Sequence, residues 1–130
     1  MKIFNAIFLL FVTTTVAAKE VDAHAYFTDS MLDSYVYQMR GQLPLTGTDG
    51  TKILSVNRQG RTLIFGMHSI DSMNQQTTDL IFNSKYKKIL CLQESESFML
   101  KRKVNMTWNY FDRQGKFLAT ASLTTLDCGY

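Results

Sequence analysis

The stretch that most constrains the fold runs over residues 104–128 of this 130-residue chain. It predicts two alternating strands, Val104 to Phe111 and Lys116 to Leu126, joined by Asp112-Arg113-Gln114-Gly115. Aspartate first and glycine fourth suit a type I turn closed by a residue at positive φ. We therefore expect a long antiparallel hairpin that the rest of the chain covers or extends.

The two faces of this hairpin differ in polarity. The apolar face takes alternate residues from both strands: Val104, Met106, Trp108, Tyr110, Phe117, Ala119, Ala121 and Leu123. The opposite face carries mainly asparagine, threonine and serine. One apolar and one polar face are typical of an antiparallel sheet that is covered on one side only.

The first residues predict export. Lys2 precedes a mostly apolar run from Ile3 to Val12, and small residues follow up to Ala18, which is the layout of a secretory signal peptide. This run is too short to span a bilayer by itself. We expect residues 1–18 to be a cleaved signal peptide, residues 19–130 to form a single domain, and no stable membrane anchor to remain. An uncleaved anchor is the alternative.

The charge balance gives no sign of a nucleic-acid partner. The chain has 14 basic and 11 acidic residues, a formal net charge of +3, and the signal peptide removes only Lys2 from the charged set. So small an imbalance bears on solubility and does not indicate a nucleic-acid partner.

The predicted compartment indicates the state of the two cysteines, Cys91 and Cys128. An exported chain meets an oxidising environment, and an even count without Cys-x-x-Cys spacing favours a structural disulfide. Closing so long a loop stabilises by about 4 kcal/mol on the chain-entropy account. The alternative is a reactive thiol, but no histidine lies near either cysteine in the sequence.

The clearest helical pattern lies upstream of the hairpin. Its apolar residues recur at three- and four-residue spacing: Phe27, Met31, Leu32, Tyr35, Met39 and Leu43. Thr28 or Ser30 can cap the start, and Pro44 disfavours helical geometry before it and sets the stop. The pattern predicts an amphipathic helix with one face to bury.

A second hairpin is predicted after this helix. Lys52 to Val56 and Arg61 to Ile70 have the composition of strands around Asn57-Arg58-Gln59-Gly60. This turn is similar to Asp112-Arg113-Gln114-Gly115, so we expect both hairpins to use the same turn chemistry.

The segment between the hairpins is the least clear. Residues 71–78 are polar and are expected to form a loop. Thr78 is expected to cap a helix that ends near Lys88, with Leu80, Ile81 and Tyr86 facing inward, and a strand is the alternative. Acidic residues lead and basic residues trail in residues 94–103, which suits a further short helix.

These elements together predict an α+β fold. An N-terminal amphipathic helix packs on a curved antiparallel sheet of about four strands, with one or two short extra helices. The disulfide ties the last strand to the segment before the final hairpin.

No catalytic or cofactor signature stands out. His24 and His68 lie far apart in the sequence, and nothing in their spacing indicates an acid–base pair. Metal-ligand spacings, phosphate loops and nucleophile motifs are missing. Glu94 and Glu96 lack the second acidic centre that a glycosidase needs. We therefore expect no enzyme, no catalytic residue, no metal and no cofactor.

Two groups of side chains are candidates for a protein-binding surface. The aromatic group is Tyr35, Tyr37, Trp108, Tyr110 and Phe111, and the basic group is Lys85, Lys87, Lys88, Lys101, Arg102 and Lys103. Core packing is the alternative for the aromatic residues. The basic ones could instead meet lipid headgroups or a polyanionic envelope polymer, or form a solvated edge that discourages strand-to-strand aggregation.

Several turn and cysteine motifs carry a resemblance. They are Gln42-Leu43-Pro44, Asp49 and Thr51 before a hairpin, Cys91, Tyr110-x-Asp112-x-x-Gly115 and Asp127-Cys128. In these the chain resembles small exported bacterial proteins that mostly have no assigned function. The resemblance implies the fold more than an activity, and it implies no catalytic residues. The chain departs from that pattern at residues 101–104, since a glycine often precedes the strand and this chain has none there.

Three functions are compatible with these features. The first is a non-enzymatic, periplasmic or released accessory protein that binds other envelope proteins, in a pilus, conjugation or secretion apparatus. The second is an exported inhibitor or immunity-type protein that blocks an envelope hydrolase. The third is a small-ligand carrier that uses the concave sheet beneath the helix as a pocket.

Overall fold

The computed structural model describes residues 26–48, 50–69 and 72–130. The expected signal peptide, its cleavage after Ala18 and the candidate residue His24 lie outside the described residues, as do Asp49 and Ile70. The signal peptide and the single-domain boundary therefore stay predictions.

A five-stranded sheet lies at the centre of the fold. Its strands are β1 (Leu45–Thr46), β2 (Lys52–Gln59), β3 (Thr62–His68), β4 (Asn105–Phe111) and β5 (Phe117–Leu123). They follow one another across the sheet in chain order. All neighbours are antiparallel except β3 and β4, which are parallel, with Phe65 beside Trp108. The α+β class is confirmed, but the sheet has one strand more than predicted and is mixed.

Among the described residues, one helix precedes the sheet, four helical elements connect its two halves, and a 3-10 turn follows it. They are α1 (Asp29–Arg40), α2 (Gln75–Ile81), a π-helical turn (Phe82–Tyr86), α3 (Lys87–Leu92), α4 (Glu94–Lys101) and a 3-10 turn (Leu126–Cys128). Parallel strands cannot be joined by a tight hairpin, and residues 69–104 supply the long crossover that β3 and β4 require.

Helix α1 forms as the apolar stripe predicts. The Thr28 side chain accepts a hydrogen bond from the Met31 backbone N–H at 3.2 Å, which is the expected N-cap. The buried residues are Leu32, Tyr35, Val36 and Met39. The helix ends at Arg40, earlier than the stop predicted from Pro44, and Gly41 caps it.

The region after β3 differs from the prediction. Asn74, and not Thr78, caps the helix, because its side-chain oxygen accepts from the Thr77 backbone N–H at 2.8 Å. The predicted loop over residues 71–78 is therefore partly helical, and the helical run continues to Leu92. Leu80 is 66% exposed, contrary to prediction, because Thr78 and Phe82 form the buried side of this run.

The two hairpin turns differ despite their similar sequences. Gln59 pairs with Thr62, so β2 continues through the residues predicted as a turn and the loop contains only Gly60 and Arg61. Within this strand Arg58 Nε donates to the Asp33 carboxylate of α1 at 2.8 Å. The second turn forms as predicted, with Gly115 at φ 82°.

The apolar face of the final hairpin is the core of the protein. Trp108 lies between Phe65 and Phe82, with ring centroids 6.4 Å and 6.0 Å from its own. All four predicted inward residues of the first strand are buried: Val104, Met106, Trp108 and Tyr110. Phe117 is half-exposed, contrary to prediction, because the β4–β5 register shifts near Phe111, against whose ring it packs.

Helix α4 ends where the resembling proteins have a glycine. Lys103 has a φ of 63°, its N–H bonds to the Leu100 carbonyl at 2.9 Å, and the Val104 N–H bonds to the Met99 carbonyl at 3.1 Å. This pair of bonds defines a Schellman ending, in which the left-handed position favours glycine. Lysine there carries a steric cost that glycine avoids.

We expect Lys103→Gly to raise the free energy of unfolding by roughly 0.5–1 kcal/mol, since glycine removes the left-handed strain but gains unfolded-state entropy. Urea unfolding measures the change. Lys103→Ala is the matched control, because it removes the charge and keeps the strained backbone. A glycine variant no more stable than the alanine variant would contradict this account.

Glu96 is an acidic residue inside the apolar core. Its residue exposure is 0%, and it lies on the side of α4 that contains Met99 and Leu100. Burial raises the pKa of the Glu96 carboxyl, and hydrogen bonds from Ser95 and from the backbone only partly oppose this shift. Burial also raises the pKa of Tyr35, and the Glu96 carboxylate adds to that effect.

A raised pKa in the folded state means that the folded protein binds a proton more tightly than the unfolded chain. The stabilisation from Glu96 is complete below its unfolded pKa and is lost as pH rises through its folded pKa. We expect Glu96→Gln to remove this loss, so the variant gains stability relative to the parent as pH rises. Urea unfolding over an acidic-to-neutral pH series checks this, and parallel stability curves for the two proteins would disprove it.

Candidate protein-binding surface

The described residues do not bring together a cluster suited to metal binding. Within them, no three histidine, cysteine, aspartate or glutamate side chains group closely enough to hold a metal ion. In the same part of the chain, no helix combines the length and apolar character needed to cross a membrane.

The structure separates the predicted aromatic group. Tyr35, Trp108 and Tyr110 are buried in the core, so they are not accessible to a partner. The alternative of core packing holds for these three because they lie on the covered face of the sheet or of α1. Tyr37 is 81% exposed on the outer side of α1, and Phe111 is half-buried beside Phe117.

The predicted basic group is also divided. Arg102 is 5% exposed, with its guanidinium 3.6 Å from the centre of the Phe98 ring and bonded to the Phe98 carbonyl. It therefore belongs to the core boundary and not to a surface patch. Lys85, Lys88 and Lys101 are exposed, while Lys87 and Lys103 are half-buried.

The C-terminal segment lies between the two basic clusters. The Cys91–Cys128 disulfide, with Cα atoms 5.4 Å apart, ties this segment to α3. The Lys87 ammonium contacts the Asp127 carboxylate at 3.1 Å, and the Lys101 ammonium lies 5.6 Å from the centre of the Tyr130 ring. The fold thus places lysines from both predicted clusters against residues 127–130.

Asp127 organises the start of this segment. Burial opposes ionisation of its carboxyl, but hydrogen bonds from Thr124 and from Lys87 outweigh that effect and lower its pKa. The carboxylate accepts from the Thr124 backbone N–H at 2.9 Å as well as from its hydroxyl. The 3-10 turn is therefore held by a charged acceptor at its centre and by the disulfide at its end.

Two leucines beside the disulfide are among the most exposed apolar side chains. Leu92 follows Cys91 and is 86% exposed, and Leu126 precedes Cys128 by two positions and is 84% exposed. Lys88 lies four residues before Leu92, on the same side of the helical run. Ile89, the residue after Lys88, is partly exposed. We call Lys88, Ile89, Leu92 and Leu126 the leucine surface.

The sequence patterns do not point to the leucine surface. In the sequence, Leu92 and Leu126 look like ordinary core residues near cysteines, and only the structure shows that they are exposed. Exposed apolar groups that cluster, rather than occur singly, are typical of protein-binding surfaces. Lysines at the border favour a partner that carries acidic residues next to its apolar ones.

Solved structures have a fold similar to this one. The pilotin EpsS of the Vibrio vulnificus type 2 secretion system matches with a TM-score of 0.59 at 12% identity, over 78% of this chain and 92% of that one. The type II secretion system pilotin AspS of Vibrio cholerae matches with a TM-score of 0.57 at 15% identity, over 88% and 99%.

A candidate secreted protein of Pseudomonas aeruginosa matches with a TM-score of 0.56 at 13% identity, over 76% of this chain and 90% of that one. No protein-family model and no curated protein matches the sequence. At such low identities the likenesses show the fold alone. They are consistent with the resemblance to small exported proteins.

We expect the double variant Cys91→Ser, Cys128→Ser to lose about 4 kcal/mol of unfolding free energy, since it opens a loop whose ends are 37 positions apart. Urea unfolding measures the loss. The parent protein under reducing conditions is the control and should lose a similar amount. An unchanged urea midpoint for the double variant would show that core packing alone holds the C-terminal segment.

Proposed function

We propose that this protein is an exported, non-enzymatic accessory protein of a secretion apparatus, acting in the periplasm or after release. It binds another envelope protein through the leucine surface. The observation that carries this proposal is the pair Leu92 and Leu126, both more than four-fifths exposed beside a disulfide that holds them in place.

The fold supports the choice of a secretion apparatus over a pilus or conjugation system. Two solved structures with this fold are type II secretion pilotins, and each is covered over more than nine-tenths of its length. Function depends on local sites rather than on the fold, so the leucine surface supplies the argument for binding. A protein of the type II secretion system is the first candidate partner to test.

The energetic argument for the leucine surface rests on hydrophobic burial. Fully burying one leucine side chain contributes roughly 1.5–3 kcal/mol, and most of that is still available at Leu92 and Leu126. A disulfide-held scaffold also loses little conformational entropy on binding, because the backbone on both sides of the contact is already ordered.

The two alternative functions receive less support. A carrier would hold its ligand on the concave face beneath α1, but the core side chains of that face, including Phe65, Met67 and Trp108, are fully buried against their neighbours. An inhibitor or immunity-type protein would block its target with an exposed loop. The β4–β5 turn carries exposed Arg113 and Lys116 beside half-exposed Phe117, but none of the three solved structures compared above is described as an inhibitor.

Affinity capture from an envelope extract tests the proposal. We expect the parent protein to recover a secretion-apparatus component reproducibly. The double variant Leu92→Glu, Leu126→Glu should recover at least about tenfold less, as truncating central contacts does in protein interfaces. Leu80→Glu is the matched control, because Leu80 is an exposed leucine on a neighbouring helix and should leave recovery unchanged.

Equal recovery by the parent and the leucine-surface variant would remove the leucine surface from the proposal. Failure of the parent protein to recover any envelope protein would contradict the proposed function as a whole. Circular dichroism of both variants distinguishes lost binding from lost folding.

A further inference from the structure

One outer edge of the sheet is largely without a strand partner. Strand β1 pairs with β2 only at Leu45 beside Ile53 and Thr46 beside Lys52. Among the described residues, no strand pairs with the outer side of β2 beyond Ile53. A row of backbone N–H and C=O groups at such an edge can pair with another chain.

The hydrogen bonds show which residues face outward. The Arg40 Nε donates to the Val56 carbonyl at 3.1 Å, so this carbonyl points away from β3. Alternate residues of an antiparallel strand direct their backbone groups to opposite sides. Val56 and Arg58 therefore face the open edge, while the residues between and after them face β3.

A cleft runs along this edge. Its volume is about 420 Å³, and it is lined by Arg40, Leu43, Pro44, Leu54, Ser55, Val56 and Asn57. The chain between α1 and β1 forms one wall, and β2 forms the other. The volume lies within the range of about 300–1,000 Å³ that ligand sites occupy, and Leu43, Pro44 and Leu54 supply apolar contact for the side chains of a short extended segment.

The opposite edge of the sheet provides a contrast. On β5 the Gln75 side-chain amide accepts from the Thr120 N–H at 2.8 Å and donates to the Thr120 carbonyl at 2.9 Å. These are the two bonds that a further strand would make at Thr120, so Gln75 occupies the β5 edge at this residue. On β2, Arg40 takes one carbonyl only, and an incoming N–H can replace it.

The charges around the cleft favour an acidic occupant. Arg40 lines it, and Lys52 lies exposed on the same strand. No carboxylate is among the residues that line the cleft. On the nearby part of α1, Asp29 and Asp33 are already engaged by Arg58, at 3.5 Å and 2.8 Å. A strand that displaces Arg40 Nε from the Val56 carbonyl frees that N–H for a carboxylate on the strand, while Arg40 Nη2 still donates to the Asn57 side chain.

We propose that the β2 edge binds an extended acidic segment of a partner protein by strand addition beside Val56 and Arg58, in the cleft between β2 and the chain that precedes β1. Main-chain hydrogen bonds to Val56 and Arg58 supply affinity, and the cleft supplies specificity. The inference deepens the proposed function, on which it rests for the partner's identity, and it assigns that partner a second contact apart from the leucine surface.

The test uses the mature chain and the probe peptide acetyl-Glu-Val-Thr-Val-Glu-amide. Amide hydrogen exchange followed by NMR reports each backbone N–H. With the peptide at tenfold its Kd, exchange at Val56 and Arg58 should slow by about tenfold. Exchange at Ser122 on the β5 edge should not change.

Three controls separate strand addition from other contacts. A peptide of the same sequence with alternate N-methylated amides cannot form the ladder and should give no protection. A peptide with lysine at both ends should bind roughly two- to fivefold more weakly, as expected from one lost exposed ion pair. Gln75→Ala should open the β5 edge, so that the peptide also slows exchange at Thr120.

Arg40→Met should abolish the preference for the glutamate-ended peptide, whereas Arg113→Met, at an exposed arginine in the β4–β5 turn, should keep it. Absence of protection at Val56 and Arg58, or equal protection by the N-methylated peptide, overturns the proposal. If protection at these residues rises with protein concentration in the absence of peptide, a second copy of the protein occupies the edge, and this result also overturns the proposal. None of these outcomes affects capture through the leucine surface, so the two proposals fail separately.

Discussion

The parallel pairing of β3 with β4 is the constraint on which the rest of the structure depends. Two parallel neighbours need a long crossover, and here the chain between them forms it with helices α2, α3 and α4. That crossover carries Phe82 and Leu90 into the core beside Trp108. It also brings Cys91 to Cys128, so the disulfide fastens the crossover to the end of the chain.

Side chains, rather than further strands, hydrogen-bond some of the backbone groups at the two edges of the sheet. Gln75 from the crossover occupies the β5 edge at Thr120, and Arg40 from α1 covers one carbonyl of the β2 edge. Arg61 in the first hairpin loop donates to the carbonyls of Phe27, Lys103 and Arg102, and so joins that loop to the start of α1 and to the end of α4. The resulting protein has a disulfide beside the leucine surface and one sheet edge that is largely unpaired among the described residues.

The fold is similar to that of two type II secretion pilotins at 12–15% identity. Similarity at this level accounts for the fold and does not identify the binding sites. A common fold requires a similar apolar pattern and similar turn geometry, and neither specifies a partner. The leucine surface and the β2 edge are local features of this chain. They can be tested by substitution without disturbing Trp108 and the core around it.

The sequence by itself determined the elements that depend on local chemistry. Alternation predicted the final hairpin, Thr28 and the apolar stripe predicted α1, and the Asp112 to Gly115 turn formed as its residues required. Strand pairing, exposure and edges were decided only by the tertiary structure. The alternation of apolar and polar residues cannot show that β3 lies beside β4. The sequence around a leucine near a cysteine does not show whether its side chain faces outward. Both depend on contacts between residues far apart in the chain, and those contacts exist only once the crossover has packed.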